Sequence, residues 1–196
     1  VRRLALLATW AVVLGSALAA CGEGSPSSKT TTSTPVADGS LVTPLRVSGG
    51  GSAQFRVPGG DNSVQEFGAE ADEGELREAA EAAHSFFAAR VSGEWERACA
   101  LLTESQQQGL RHLAAETHGL RGGGCPAALD RLTRSVSGSL VRQLTAVDAD
   151  SLRREGDSAF LIYTGAPDRT VYAVPLRLEG GAWKLGATAG TVLPGT

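Results

Sequence analysis

Methionine is absent from this 196-residue chain, lysine occurs only at positions 29 and 184, and aromatic residues make up 5 % of it. The balance of charge bears on function. Basic residues number 18 against 21 acidic ones, for a formal net charge of −3. Without a clustered basic surface to neutralise phosphates, no nucleic-acid partner is expected. Of the three histidines, His112 and His118 stand six apart and do not share a helix face as i, i+4 ligands do, so neither a metal nor another cofactor is expected. Glycine is plentiful, yet the runs at 49–51 and 122–124 form neither G-x-G-x-x-G nor a Walker pattern, and no G-x-S-x-G or H-E-x-x-H occurs. Nucleotide-binding, serine-hydrolase and zincin readings lose their usual support, and no residue is assigned a catalytic role. The arginine-, alanine- and glycine-rich usage matches coding sequence from a GC-rich bacterial genome, and Val1 reads as an initiator from a GTG codon.

What is present begins with a leader. A basic pair, Arg2 and Arg3, precedes an apolar run from Leu4 to Ala20 and then Cys21, the order of a secretory signal. The run is short for a permanent membrane span and ends in small residues, which favours cleavage. The stretch Leu18-Ala19-Ala20-Cys21 resembles the lipobox of bacterial lipoproteins. The resemblance implies that residues 1–20 are a lipoprotein signal peptide and that the Cys21 thiol becomes a diacylated thioether. The chain is then held at the cell membrane on its extracytoplasmic side. Two acyl chains suffice for stable anchoring, since each buried CH₂ contributes about 0.8 kcal/mol and one chain alone is marginal. Ordinary cleavage after Ala17-Leu18-Ala19, leaving Cys21 as a free thiol, is the competing reading. Cysteine parity bears on the choice: lipidation of Cys21 leaves Cys99 and Cys125 to pair in an oxidising compartment. Chain entropy assigns such a bridge about 3.5 kcal/mol. Two separately buried thiols are the alternative.

Residues 21–69 read as a lipid-anchored flexible linker rich in Ser, Thr, Gly and Pro, with short strands expected over 41–47 and 54–57. The coil of about 30 residues that opens it has a reach on the order of 30 Å. Residues 70–196 read as one α+β domain. Asp72 with Glu75 opens a helix whose apolar stripe is Leu76, Ala79, Ala80, Ala83, Phe86, Phe87 and Val91, and Ser92-Gly93 ends it. A short helix follows over 94–102, then one capped by Thr103 and closed by Gly119, then one from Cys125-Pro126 to about Val136. Strands are expected over 140–153, 158–164, 171–179 and 182–188, joined by turn residues. Short connections make them antiparallel, with the helices covering one face of the sheet.

The segment Phe86-Phe87-Ala88-Ala89-Arg90-Val91-Ser92-Gly93-Glu94-Trp95, the segment Ala98-Cys99-Ala100-Leu101-Leu102-Thr103, the Gly156-Asp157 hairpin and the terminal Gly180-Gly181-Ala182-Trp183-Lys184-Leu185 together resemble the NTF2-like superfamily. They are most similar to its secreted actinobacterial lipoproteins. The resemblance covers about residues 70–188. It implies a curved antiparallel sheet wrapped around helices as a cone, often with a pocket at its mouth, in a family of isomerases, dehydratases and non-enzymatic binding modules. Enzymes of this fold work with an Asp and a His or Tyr inside the cone. Here that yields His84, Asp148, Asp150, Tyr163 and Tyr172, of which His84, Tyr163 and Tyr172 are the candidate pocket residues. The competing reading makes His84 a helix-surface histidine, and Tyr163 and Tyr172 core aromatics. The expectation is a lipid-anchored extracytoplasmic binding or interaction module whose partner is a small apolar ligand or an envelope protein. An isomerase- or dehydratase-like enzyme, or a purely structural domain with its cone filled, are the alternatives.

Overall fold

In the computed structural model, residues 42–136, 145–166 and 168–194 are described. The Asp72 carboxylate accepts a hydrogen bond from the Glu75 backbone N–H and so starts α1, Glu73–Val91. Leu76, Ala79, Ala80, Ala83, Phe86 and Phe87 are all buried along it, at the spacing of one helix face. The small alanines let α1 lie close to the sheet, while the two phenylalanines fill the depth at its far end. After the Ser92-Gly93 turn come α2, Trp95–Ala100, and α3, Glu104–Glu116. The Thr103 hydroxyl caps α3 by accepting from the Gln106 N–H. Then follows α4, Gly124–Arg134. Cys99 and Cys125 form a disulfide with a Cα–Cα distance of 6.2 Å, fastening α2 to the first turn of α4.

The sheet has seven strands: β1 (Arg46–Val47), β2 (Ala69–Glu70), β3 (Asp148–Glu155), β4 (Ser158–Thr164), β5 (Val171–Glu179), β6 (Ala182–Leu185) and β7 (Thr191–Val192). β3 to β6 form the expected antiparallel meander, with β4 and β5 in register from Ser158↔Arg177 to Thr164↔Val171. The sheet is nonetheless mixed, because β1 lies parallel to β3, and it is curled into a half-barrel. Parallel pairing needs a long crossover, and the chain between Val47 and Asp148, which holds α1 to α4, supplies it. Alternation on β4 sorts the two faces. Ala159, Leu161 and Tyr163 join the main core under α1, whereas Ile162 joins Val171, Ala173 and Leu193 in a smaller core on the other side.

Residues 42–69, expected as part of the flexible linker, are instead paired with the sheet and the small core. From Val42 the chain runs along the open edge of β3, and the expected strand at 54–57 is instead part of a 3₁₀ turn, Ser52–Phe55. Its composition is polar, as a linker's is, but its backbone has an obligatory partner. The N–H groups of Ser48 and Gly49 donate to the Ala149 carbonyl, that of Gly51 to Asp150 and that of Ala71 to Leu152. An exposed strand edge must be satisfied, and this strap satisfies it. Phe55 and Val64 cover the smaller core. Glu70 pins the strap by accepting from the Ser52 N–H and hydroxyl, the Ser151 hydroxyl and Arg153.

Candidate functional site

The chemistry that the fold gathers in its interior is a cluster of aromatic rings around one cation. Helical spacing puts Phe86, Phe87 and Arg90 on the inner face of α1, and the β4–β5 register sets Tyr163 opposite Tyr172. The tyrosine rings stack at 5.5 Å between centroids, and Phe87 lies 6.1 Å from Tyr163. The Arg90 guanidinium carbon sits 5.5 Å from the centre of the Phe86 ring. Nε and Nη2 of Arg90 donate to the Thr133 hydroxyl on α4, and Nη1 donates to the Thr188 carbonyl just after β6. Burial holds the Arg90 pKa below its ordinary value, because taking a guanidinium out of water disfavours the charged form. Burial likewise pushes the Tyr163 phenol well up, with Tyr172 adding to the shift and Arg90 opposing it.

Of the expected pocket residues, the structure brings Tyr163 and Tyr172 together and engages His84 elsewhere. His84 Nε2 lies 2.6 Å from the Thr43 carbonyl oxygen, so α1 is tied to the start of the strap. Surface depressions of about 310 to 530 Å³ open among the described residues, and five of them have linings that include neither His84, Tyr163, Tyr172 nor Arg90. One of them, of about 530 Å³, lies over Phe67, Phe160 and Pro175. Another, of about 410 Å³, has Glu70, Glu73 and Asp150 on its wall beside the Gly49-Gly50-Gly51 turn.

The two aspartates sit away from the tyrosines. Asp148 accepts from the Ser48 hydroxyl at 2.5 Å. Asp150 is the extra residue of a β-bulge in β3 and accepts from the Thr164 hydroxyl at 2.8 Å. Thr164 and Tyr163 are neighbours on one strand, so their side chains leave opposite faces of the sheet, and Asp150 follows Thr164. Burial raises the Asp150 pKa; the Thr164 hydrogen bonds and Arg169 counter it in part, while Asp148 adds to it. Among the described residues no group of three His, Cys, Asp or Glu side chains is placed to hold a metal. Nor is any helix among them long and apolar enough to cross a membrane. Cys21 lies outside the described residues.

Two residues of weight were not singled out in the sequence. Arg90 carried a signal, since it falls four positions after Phe86 on the buried stripe. Glu70 carried none, because its partners Ser52, Ser151 and Arg153 are brought to it by the strap's path alone. No family model, curated protein or solved structure matches this chain.

Proposed function

We propose that the chain is a lipid-anchored, non-catalytic interaction module of the bacterial cell envelope, built as an NTF2-like cone. One observation carries the anchoring. The bond between Cys99 and Cys125 leaves Cys21 as the unpaired cysteine, and Cys21 follows a charged, apolar and small-residue leader in the lipobox pattern. A diacyl thioether there holds the domain at the extracytoplasmic face on a spacer of about 20 residues, whose coil reach is on the order of 25 Å.

The packed interior favours interaction with an envelope partner over entry of an apolar ligand through an open mouth. Tyr163 is 3 % exposed, and the space beneath α1 is occupied by its ring, Phe86, Phe87 and Arg90. An isomerase or dehydratase reading asks for a carboxylate facing a Tyr or His within that space, whereas Asp150 faces Thr164 across the sheet. Replacing Cys21 by alanine tests the anchored reading. The variant is expected in the soluble fraction after lysis, while the parent chain sediments with membranes and shows a diacylglyceryl mass increment. A variant that still sediments, or an unmodified Cys21 in the parent, refutes it.

A further inference from the structure

Arg90 is 6 % exposed and carries a positive charge that its surroundings do not neutralise. A guanidinium has five N–H donors in a planar fork and no acceptor. Its hydrogen bonds go to a threonine hydroxyl and a backbone carbonyl, both neutral. Among the described residues no carboxylate lies within ion-pair distance of it. Among the described residues the two half-buried arginines, Arg153 and Arg154, are each matched with a glutamate. Burying a lone cation is costly, and an aromatic face returns only part of that cost.

The segment over this cation is slight. Residues 186–190 read Gly-Ala-Thr-Ala-Gly, join β6 to β7, and form no regular element. The Thr188 carbonyl sits on Arg90. Gly190 sits on the tyrosine pair: a methyl group there would stand 2.6 Å from the Tyr163 hydroxyl oxygen and 3.0 Å from the Tyr172 Cβ. One segment therefore covers both the cation and the phenol. It has no large side chain to hold it down.

We infer that Arg90 anchors a binding site for a small carboxylate with a flat apolar body, and that segment 186–190 is its cover. A carboxylate offers a negative charge to Nη1, which now donates to the neutral Thr188 carbonyl while Nε and Nη2 stay on Thr133, and charge-assisted bonds are about twice as strong as neutral ones. With the segment displaced, the apolar body takes the place of Gly190 against the Tyr163 and Tyr172 rings. Entry requires the Thr188 carbonyl to leave Arg90, so binding and movement of the segment are one event. This goes beyond the anchored-module reading and does not depend on it.

Benzoate and its neutral counterpart benzyl alcohol are the probes, titrated calorimetrically into the full chain in detergent. The parent protein should bind benzoate saturably at millimolar concentration and fail to bind benzyl alcohol. Gly190→Ala, whose methyl group lifts the segment off Tyr163, should bind benzoate several-fold tighter, because less of the protein is then closed. Arg90→Gln should weaken binding by about tenfold or more. Amide hydrogen exchange within 186–190 should rise when benzoate is added, the reverse of ordinary ligand protection. The inference fails if neither the parent nor Gly190→Ala binds benzoate, if benzyl alcohol binds as well, or if exchange in the segment does not rise. Equal binding by a folded Arg90→Gln protein also overturns it. Should that variant not fold, the comparison of parent, Gly190→Ala and the two probes decides the matter.

Discussion

Replacing both Cys99 and Cys125 by alanine is expected to remove a large part of the domain's stability. The bond joins residues 26 apart in sequence, and for a loop of that size chain entropy alone assigns about 3.5 kcal/mol. Both residues are at least 94 % buried, so losing two sulfur atoms from the core adds about 1 kcal/mol more. The element at risk is α2, six residues long and without a side-chain N-cap, which is far too short to persist without its packing. A loss of roughly 4 to 5 kcal/mol compares with a total stability of about 5 to 15 for a native protein. At about 2 to 4 °C per kcal/mol for a chain of this size, the Tm should fall by roughly 10 to 15 °C. Circular dichroism melts and urea midpoints of the parent, the reduced parent and the double variant would measure it. The reduced parent, which keeps its sulfur atoms, should lose about 1 kcal/mol less than the variant, and in both the urea m-value should rise because the unfolded chain is freed to expose more surface. A midpoint shift worth less than about 1 kcal/mol would refute the reasoning, as would alkylation of both thiols in the native, unreduced protein.

Gly68 has a left-handed φ of +46°, and a Cβ there would stand 2.1 Å from the Arg154 carbonyl oxygen, so Gly68→Ala should detach β2 and cost at least about 3 kcal/mol in urea titrations. Burial pushes the Glu70 pKa up, but the bonds from Ser151, Ser52 and Arg153 outweigh it and leave the carboxylate below its ordinary range. Its stabilisation is therefore full above the ordinary glutamate pKa and lost as pH falls through the lowered folded value. Glu70→Gln should cost about 1 to 2 kcal/mol at neutral pH and nothing in strong acid, and a difference independent of pH would contradict this. Asp150 has the opposite sign. With its folded pKa raised, ionisation opposes folding as pH rises from the ordinary aspartate range through the folded value. Asp150→Asn should accordingly melt higher than the parent at neutral pH and not below that range, which paired melts at the two pH values would check.

Much of the domain is legible along the chain. Asp72 and Thr103 cap the helices they were expected to cap, and the strands over 158–164 and 171–179 end where the turn residues place them. Where expectation and structure diverge, a distant partner intervenes. The strand expected to run to residue 188 stops at Leu185, because Leu185 is held by backbone bonds to Leu101 and Thr103, and the chain then turns over Arg90. The strap was read as linker because it is polar. Its stability comes instead from backbone donors and buried hydroxyls such as Ser52, which composition does not weigh. Arg90 falls four positions after Phe86 on the buried stripe, a place the helical spacing makes legible.

What the sequence alone determined is local: helix faces, caps, hairpins and the parity of three cysteines all follow from contacts within a few positions, or from counting. Pairing between distant parts of the chain follows from the assembled fold. Thr43 meets Thr145 over 102 positions, and Glu70 meets Ser151 over 81. No periodicity records such partnerships. They arise when an open strand edge and a buried charge take the nearest groups able to satisfy them.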